Sequence, residues 1–235
     1  MSSDLHSSTL STESLCAALR KGFLPGPSET EEEFIERMQK SESSHASAWD
    51  QANAVLEPLM GFTIDWVPVQ KAKRLFFWEG GATWIAEDGA AIIELKSWGY
   101  KPTEILVHEA VHILRCKFQE PRFEEHLAYA TSSKPWRRVL GPLFRAPKET
   151  ILFLLALLLG LYEPLWMLPV VTFFSARLMI ERRIFQRCVK KVGLRLTAGL
   201  TDKEIARFSR MSSQQIHTYM NEQTSLRWQT LRGII

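Results

Sequence analysis

Read along the chain, the spacing of apolar residues changes period three times. The run SETEEEFIERMQK concentrates acids in its opening turn, where the helix dipole favours them, and places Ser28 three residues before Glu31. That is a capping-box spacing, and it predicts a short helix ending near Lys40. Beyond the Ser-rich linker SESSHAS, Ala48, Ala52, Val55, Leu56 and Met60 recur at helical intervals and predict a second helix. From Gly61 the period falls to two. GFTIDWVPVQ and ATWIAEDGAAIIELK alternate apolar and polar positions, and the Asp88-Gly89 pair predicts a β-hairpin turn. Pro102 and Thr103 then open a helix, with Thr103 as its cap, that runs through EILVHEAVHILRCKF to about Phe118. RFEEHLAYATS predicts another beyond Pro121. Residues 151–176 are almost wholly apolar, broken only by Glu163-Pro164, and the basic, amphipathic ARLMIERRIFQRCVKK follows.

The pattern predicts an α+β chain. A small sheet precedes a strongly apolar helix, and a hydrophobic helical hairpin and a basic helical C-terminal module follow. The expected boundaries are a disordered tail over 1–27, an α+β unit over 28–145, the hairpin over 146–180 and the basic module over 181–235.

At 235 residues, 46% apolar and 23% charged, the chain can bury a sizeable core, which excludes wholesale disorder and a multi-span membrane protein. Charge is segregated. Residues 1–50 hold nine acids and four bases, whereas residues 177–235 hold twelve bases and four acids, so the C-terminal quarter suits an anionic surface, nucleic acid or phospholipid. Cys16, Cys116 and Cys188 form no CxxC pair, which argues against a disulfide framework and for a reducing compartment. The first residues lack the basic and apolar regions of a secretion signal, so none is expected.

The chemistry concentrates at His108-Glu109-Ala110-Val111-His112. Residues four apart lie on one face of a helix, so His108 and His112 present two imidazoles to one point, as a zinc ion requires. Glu109 sits on the same turn, placed to accept a proton from water at the metal. A third ligand is expected from the following helix, where Glu124, Glu125 and His126 are the candidates. Here residues 61–130 resemble the gluzincin group of zinc peptidases, whose HExxH is followed by a helical Glu with a small residue three positions later. Glu125-His126-Leu127-Ala128 has that spacing. The resemblance implies a zincin-like fold, zinc-dependent peptide-bond hydrolysis, Glu125 as third ligand with Glu124 next in line, and Glu109 as general base. It also implies that an edge strand, either TWIA or AAIIEL, holds a peptide or protein substrate by β-augmentation. Tyr100 and Tyr129 are candidates for oxyanion stabilisation.

Two segments lie outside that resemblance. ILFLLALLLGLY and LWMLPVVTFFSA are about 18 Å each at 1.5 Å per residue, too short to cross about 30 Å of hydrocarbon. Joined into one span they bring Glu163 and Pro164 near the bilayer centre. A re-entrant membrane hairpin with its tip at Tyr162-Glu163-Pro164 avoids this, and basic residues on both flanks then place both on the cytoplasmic side. A buried apolar hairpin in a soluble protein is the other alternative. Residues 200–220 resemble a helix-turn-helix: Thr201 and Glu204 form a capping box, Ala206 is small at the crossing, Ser212 caps a second helix and Ile216 packs back. Gln214, Gln215 and His217 would then face DNA bases. The same segment also reads as a plain helical hairpin packed on the catalytic unit. The competing functional reading is a membrane-tethered DNA-binding or interaction protein in which the HExxH is incidental. Leu226, Trp228, Leu231 and Ile235 read as packing residues.

Overall fold

Ser11 accepts a hydrogen bond from the Ser14 amide and starts the first helix, α1 (Thr12–Arg20). It belongs to a computed structural model that describes residues 10–41, 47–73, 75–76, 79–86, 91–96, 99 and 101–234. Leu15, Leu19, Phe23 and Leu24 are all buried. Residues 12–27 therefore form helix and turn that contribute to the core and are not a disordered tail, because apolar side chains at helical spacing outweigh the Ser/Thr composition around them. Residues 1–9 lie outside the described residues.

Helix α2 (Glu31–Ser41) starts two residues later than the Ser28 spacing predicts. Its capping box joins Thr30 and Glu33, each backbone amide donating to the other's side chain. The linker at 42–46 lies outside the described residues, and α3 (Asp50–Met60) follows it, ending at Gly61 with φ 76°.

The sheet is small: β1 (Val69–Lys71), β2 (Gly81–Ile85) and β3 (Ala91–Leu95), in the order β1-β3-β2. Strands β2 and β3 pair antiparallel, with Thr83 opposite Ile93 and Trp84 opposite Ile92, whereas β1 runs parallel to β3. The Asp88-Gly89 turn lies outside the described residues. Two expectations change. Only Val69 and Gln70 of the alternating GFTIDWVPVQ fall in strand, because α3 and its approach supply side-chain partners for much of the rest. Asn53 bonds both the amide and the carbonyl of Ile64, and the Trp49 indole donates to the Val67 carbonyl. Strand β3, the AAIIEL segment, is central, so of the two expected edge strands only β2 has an open edge among the described residues.

Helix α4 (Pro102–Leu114) carries the HExxH, and α5 (Pro121–Ala130) packs on it. Lys101 is the cap of α4; the Thr103 hydroxyl instead donates to Gln51. The helix stops four residues short of Phe118. There the Arg115 guanidinium turns to donate to the carbonyls of Ala198 and Leu200, and tight turns close over Cys116 and Phe118.

The remaining helices are α6 (Pro135–Leu140), α7 (Pro147–Tyr162), α8 (Met167–Ala198), α9 (Asp202–Phe208), α10 (Ser213–Glu222) and α11 (Leu226–Arg232). Gly193, at φ 81°, interrupts α8 near its end. Helices α7 and α8 fold back on each other. Phe153 meets Phe174 with ring centroids 5.6 Å apart, and Gly160 lies against Met167, with Glu163-Pro164 at the tip. This antiparallel pairing rules out the joined single span, and no helix among the described residues is long and apolar enough to cross a membrane. Nor is the hairpin buried: Leu158, Leu161, Tyr162 and Leu165 are exposed.

The basic C-terminal helices share one core with the rest. Phe208, Trp228 and Leu231 belong to the same buried cluster as Leu15, Phe62 and Phe123, and α11 packs on α1. Asp202 accepts from the amides of Arg122 and Phe123 and so caps α5 from eighty residues away. The architecture is α+β, mostly helical around a small mixed sheet.

Candidate metal centre

Four-residue spacing on α4 puts His108 and His112 one above the other, and the structure turns both rings the same way. Their Nε2 atoms are 3.3 Å apart. From α5, Glu125 brings one carboxylate oxygen to 3.6 Å from Nε2 of His108 and the other to 3.6 Å from Nε2 of His112. Ligand atoms at about 2.0–2.2 Å from a tetrahedral zinc ion lie about 3.3–3.6 Å apart, so the three groups have the separations and chemistry of a zinc donor set. They are the metal-capable cluster of His, Cys, Asp and Glu among the described residues.

The other candidates lie elsewhere. Glu124 is on the outer side of His112, its Oε1 2.8 Å from Nδ1. A carboxylate on the second ring nitrogen fixes the tautomer and rotation of a metal-ligating histidine. His126 points away from the cluster, against Phe185 at 5.6 Å between ring centroids, with Nε2 3.9 Å from Glu181. Tyr129 places its ring edge-on to His108 at 4.4 Å, and the Arg137 guanidinium lies 5.6 Å from its centre. Tyr100 lies outside the described residues.

Glu109 is buried, and the Thr83 hydroxyl of β2 donates to its Oε2 at 2.8 Å. Thr83 shares a sheet face with the buried Ile93, opposite it in the ladder, so the period-two pattern turns it toward α4. The strand with the open edge thus touches the residue next to the histidines.

Three acids and two histidines in one desolvated cluster perturb each other. Burial, together with the neighbouring charges of His112 and Arg137, holds His108 well below the usual imidazole range. Burial opposes protonation of His112, but the Glu124 hydrogen bond and the charges of Glu125, Glu109 and Glu124 outweigh it and push the ring up to about 10. With His112 protonated, Nδ1–H donates to Glu124 and Nε2–H faces the Nε2 of His108. Burial lifts Glu125 to about 7, against the pull of His112, and also raises Glu109. Burial lifts the Tyr129 hydroxyl to about 12, so it stays a donor at neutral pH. Three acids crowded around two imidazoles make a cluster whose negative charge a dication would offset.

A cavity of about 380 Å³ is lined by His112, Gln119, Glu120, Glu124, Glu125 and Arg145. It touches neither His108, Glu109 nor β2, so it lies on the Glu124 side of the cluster.

Three participants escaped the sequence reading. Thr83 and the orienting role of Glu124 depend on strand register and helix crossing. Arg115, buried with its Nε 4.0 Å from Glu124, links that carboxylate to the carbonyls of Ala198 and Leu200. The alternation around Thr83 was a usable signal; nothing local marks the other two.

No protein-family model, curated protein or solved structure matches the chain. Its functional reading therefore rests on the cluster itself.

Proposed function

We propose that this chain is a zinc-dependent peptidase with a zincin-like core, holding its metal through His108, His112 and Glu125. One observation carries the proposal: both Nε2 atoms and the Glu125 carboxylate converge with zinc-like separations, and Glu109, the next residue along α4, borders the open-edged strand. When bound, zinc supplies Lewis acidity, lowering the pKa of water toward neutrality and polarising a substrate carbonyl.

The residues divide the remaining work. Glu109, oriented by its bond from Thr83, takes a proton from the attacking water and returns it to the leaving amine. Its raised affinity for protons suits both halves of that role. Glu124 sets the orientation of His112. Tyr129, its ring edge-on to His108, supplies a neutral hydroxyl for the developing oxyanion. The open edge of β2 offers backbone groups to an extended polypeptide, with Trp84 and Ile85 exposed beside it. The test is hydrolysis of unstructured polypeptides by the zinc-loaded chain. Activity abolished by Glu109→Gln with zinc retained supports the reading; activity unaffected by that change contradicts it.

Nucleic-acid binding through residues 200–220 has its own support. Helices α9 and α10 both carry capping boxes, Thr201 with Glu204 and Ser212 with Gln215, and Gln214 and His217 are exposed on α10. Gln215, however, spends its side-chain oxygen on the Ser212 amide. Salt-sensitive duplex binding lost on Gln214→Ala with His217→Ala would favour this second reading.

A further inference from the structure

From Ile151 to Ala176 the chain carries one charged residue, Glu163, and it sits at the tip of the α7–α8 hairpin. The hairpin stands out as a finger. Leu161 is 84% and Tyr162 95% exposed, and Leu158, Leu159, Leu165 and Phe173 are exposed along its sides. Such a contiguous apolar surface marks a contact with something apolar.

Charge begins abruptly at the base of the finger. Glu149 and Arg177 close it with an ion pair at 2.7 Å, and just below lie the exposed cations Lys134, Arg138, Lys148 and Arg183. Arg182 donates to the Arg138 carbonyl, so α6 belongs to the same level, and α6 exposes Trp136 and Leu140. From Lys148 to Tyr162 the finger extends about 21 Å, against about 15 Å for half of a hydrocarbon core of about 30 Å. A tilted finger therefore fills one leaflet without crossing the bilayer. Apolar sides above, with cations and the exposed Trp136 indole at the level of the base, match hydrocarbon beneath anionic headgroups. Pairing fingers from two copies side by side would instead bring their cationic bases together.

The base is also close to the candidate metal centre. Gly141, at the end of α6, lies against the Tyr129 ring, whose edge meets His108. One aromatic ring separates the ligands from the level that carries Trp136 and Arg138.

We propose that the finger is a one-leaflet anchor for anionic phospholipid bilayers. Resting on the peptidase reading, it follows that the substrate is a polypeptide segment lying at the membrane surface, since the anchor holds the metal centre there.

Flotation with phosphatidylcholine vesicles containing phosphatidylglycerol tests the anchor. The full chain is expected to float and to remain bound in 1 M NaCl. Leu158→Asp with Leu161→Asp, both changes at exposed positions, should reduce bound protein at least tenfold while zinc retention and helix content stay as in the wild type. A wild-type chain that stays at the bottom, or a variant that floats equally well, overturns the anchor. So does a stable dimer in vesicle-free buffer that the variant dissociates, which would make a second copy the occupant. The substrate clause is tested with one peptide, free or tethered to vesicle lipid. Preference for the tethered form by tenfold or more, lost in the variant, supports it. Equal rates overturn it. No cleavage of either form with flotation intact removes that clause together with the peptidase reading and leaves the anchor standing.

Discussion

The Glu124 carboxylate lies 2.8 Å from Nδ1 of His112, while Glu125, its neighbour in sequence, faces Nε2 of the same ring. Adjacent residues on a helix point about 100° apart. Two consecutive acids on α5 can therefore grip one imidazole from opposite ends, one as ligand and one as orienting group.

Substituting these two acids separately should give different results. Glu125→Gln is expected to abolish stoichiometric zinc, whereas Glu124→Gln should weaken zinc affinity about 10–100-fold, the usual effect of losing an outer carboxylate on a ligating histidine. Competition with a chromophoric chelator measures both. Equal losses would contradict the division of roles.

Zinc affinity should rise with pH, and the sign follows from the metal-free charges. His112 holds a proton up to about 10, and Glu125 holds one up to about 7. Zinc must displace both, since ligands bind deprotonated. Affinity should fall about tenfold per unit as pH drops from 10 to 7, and more steeply below 7, where the second proton joins. Calorimetry in buffers of differing ionisation enthalpy reads the proton release directly. A flat profile would show that these groups do not ligate.

Thr83 donates to the ionised form of Glu109 and so restrains the rise that burial imposes on that carboxylate. Thr83→Val should lift Glu109 further and move the acidic limb of the kcat/KM profile to higher pH, with the plateau less affected. Zinc content should not change. An unmoved limb would separate Thr83 from the general base.

The paired histidines, Glu109 beside them and the carboxylate helix were legible in the sequence because each depends only on helical periodicity and on residues within about twenty positions. The assembly around them was not. Arg115 meets Ala198 and Leu200, and Asp202 caps α5, across eighty residues that no local pattern connects. The extended chain before β1 looked like a strand by its alternation, yet Asn53 and Trp49 satisfy its backbone with side chains. Leu15, Leu19 and Phe23 were visible at helical spacing, but the Ser/Thr-rich composition beside them pointed to a tail. The Glu163-Pro164 break did mark the hairpin tip, because proline ends a helix regardless of what surrounds it.

On the proposed anchor, Glu163 opposes insertion of the finger that carries it. A carboxylate deep in a bilayer costs about 2.5–3.5 kcal/mol on insertion scales, and the amide of Glu163→Gln carries no charge. That substitution should raise partitioning into anionic vesicles at least tenfold, measured by flotation. Unchanged partitioning would place the tip in water or headgroups instead of hydrocarbon.

The most direct measurement is metal stoichiometry by elemental analysis of the purified chain, made in parallel on wild type, His108→Ala and Glu109→Gln. The account predicts one zinc per chain in wild type, loss of zinc in His108→Ala, and full zinc with no hydrolysis in Glu109→Gln. Wild-type protein without stoichiometric metal, or His108→Ala protein that keeps it, would contradict the metal centre and the peptidase built on it.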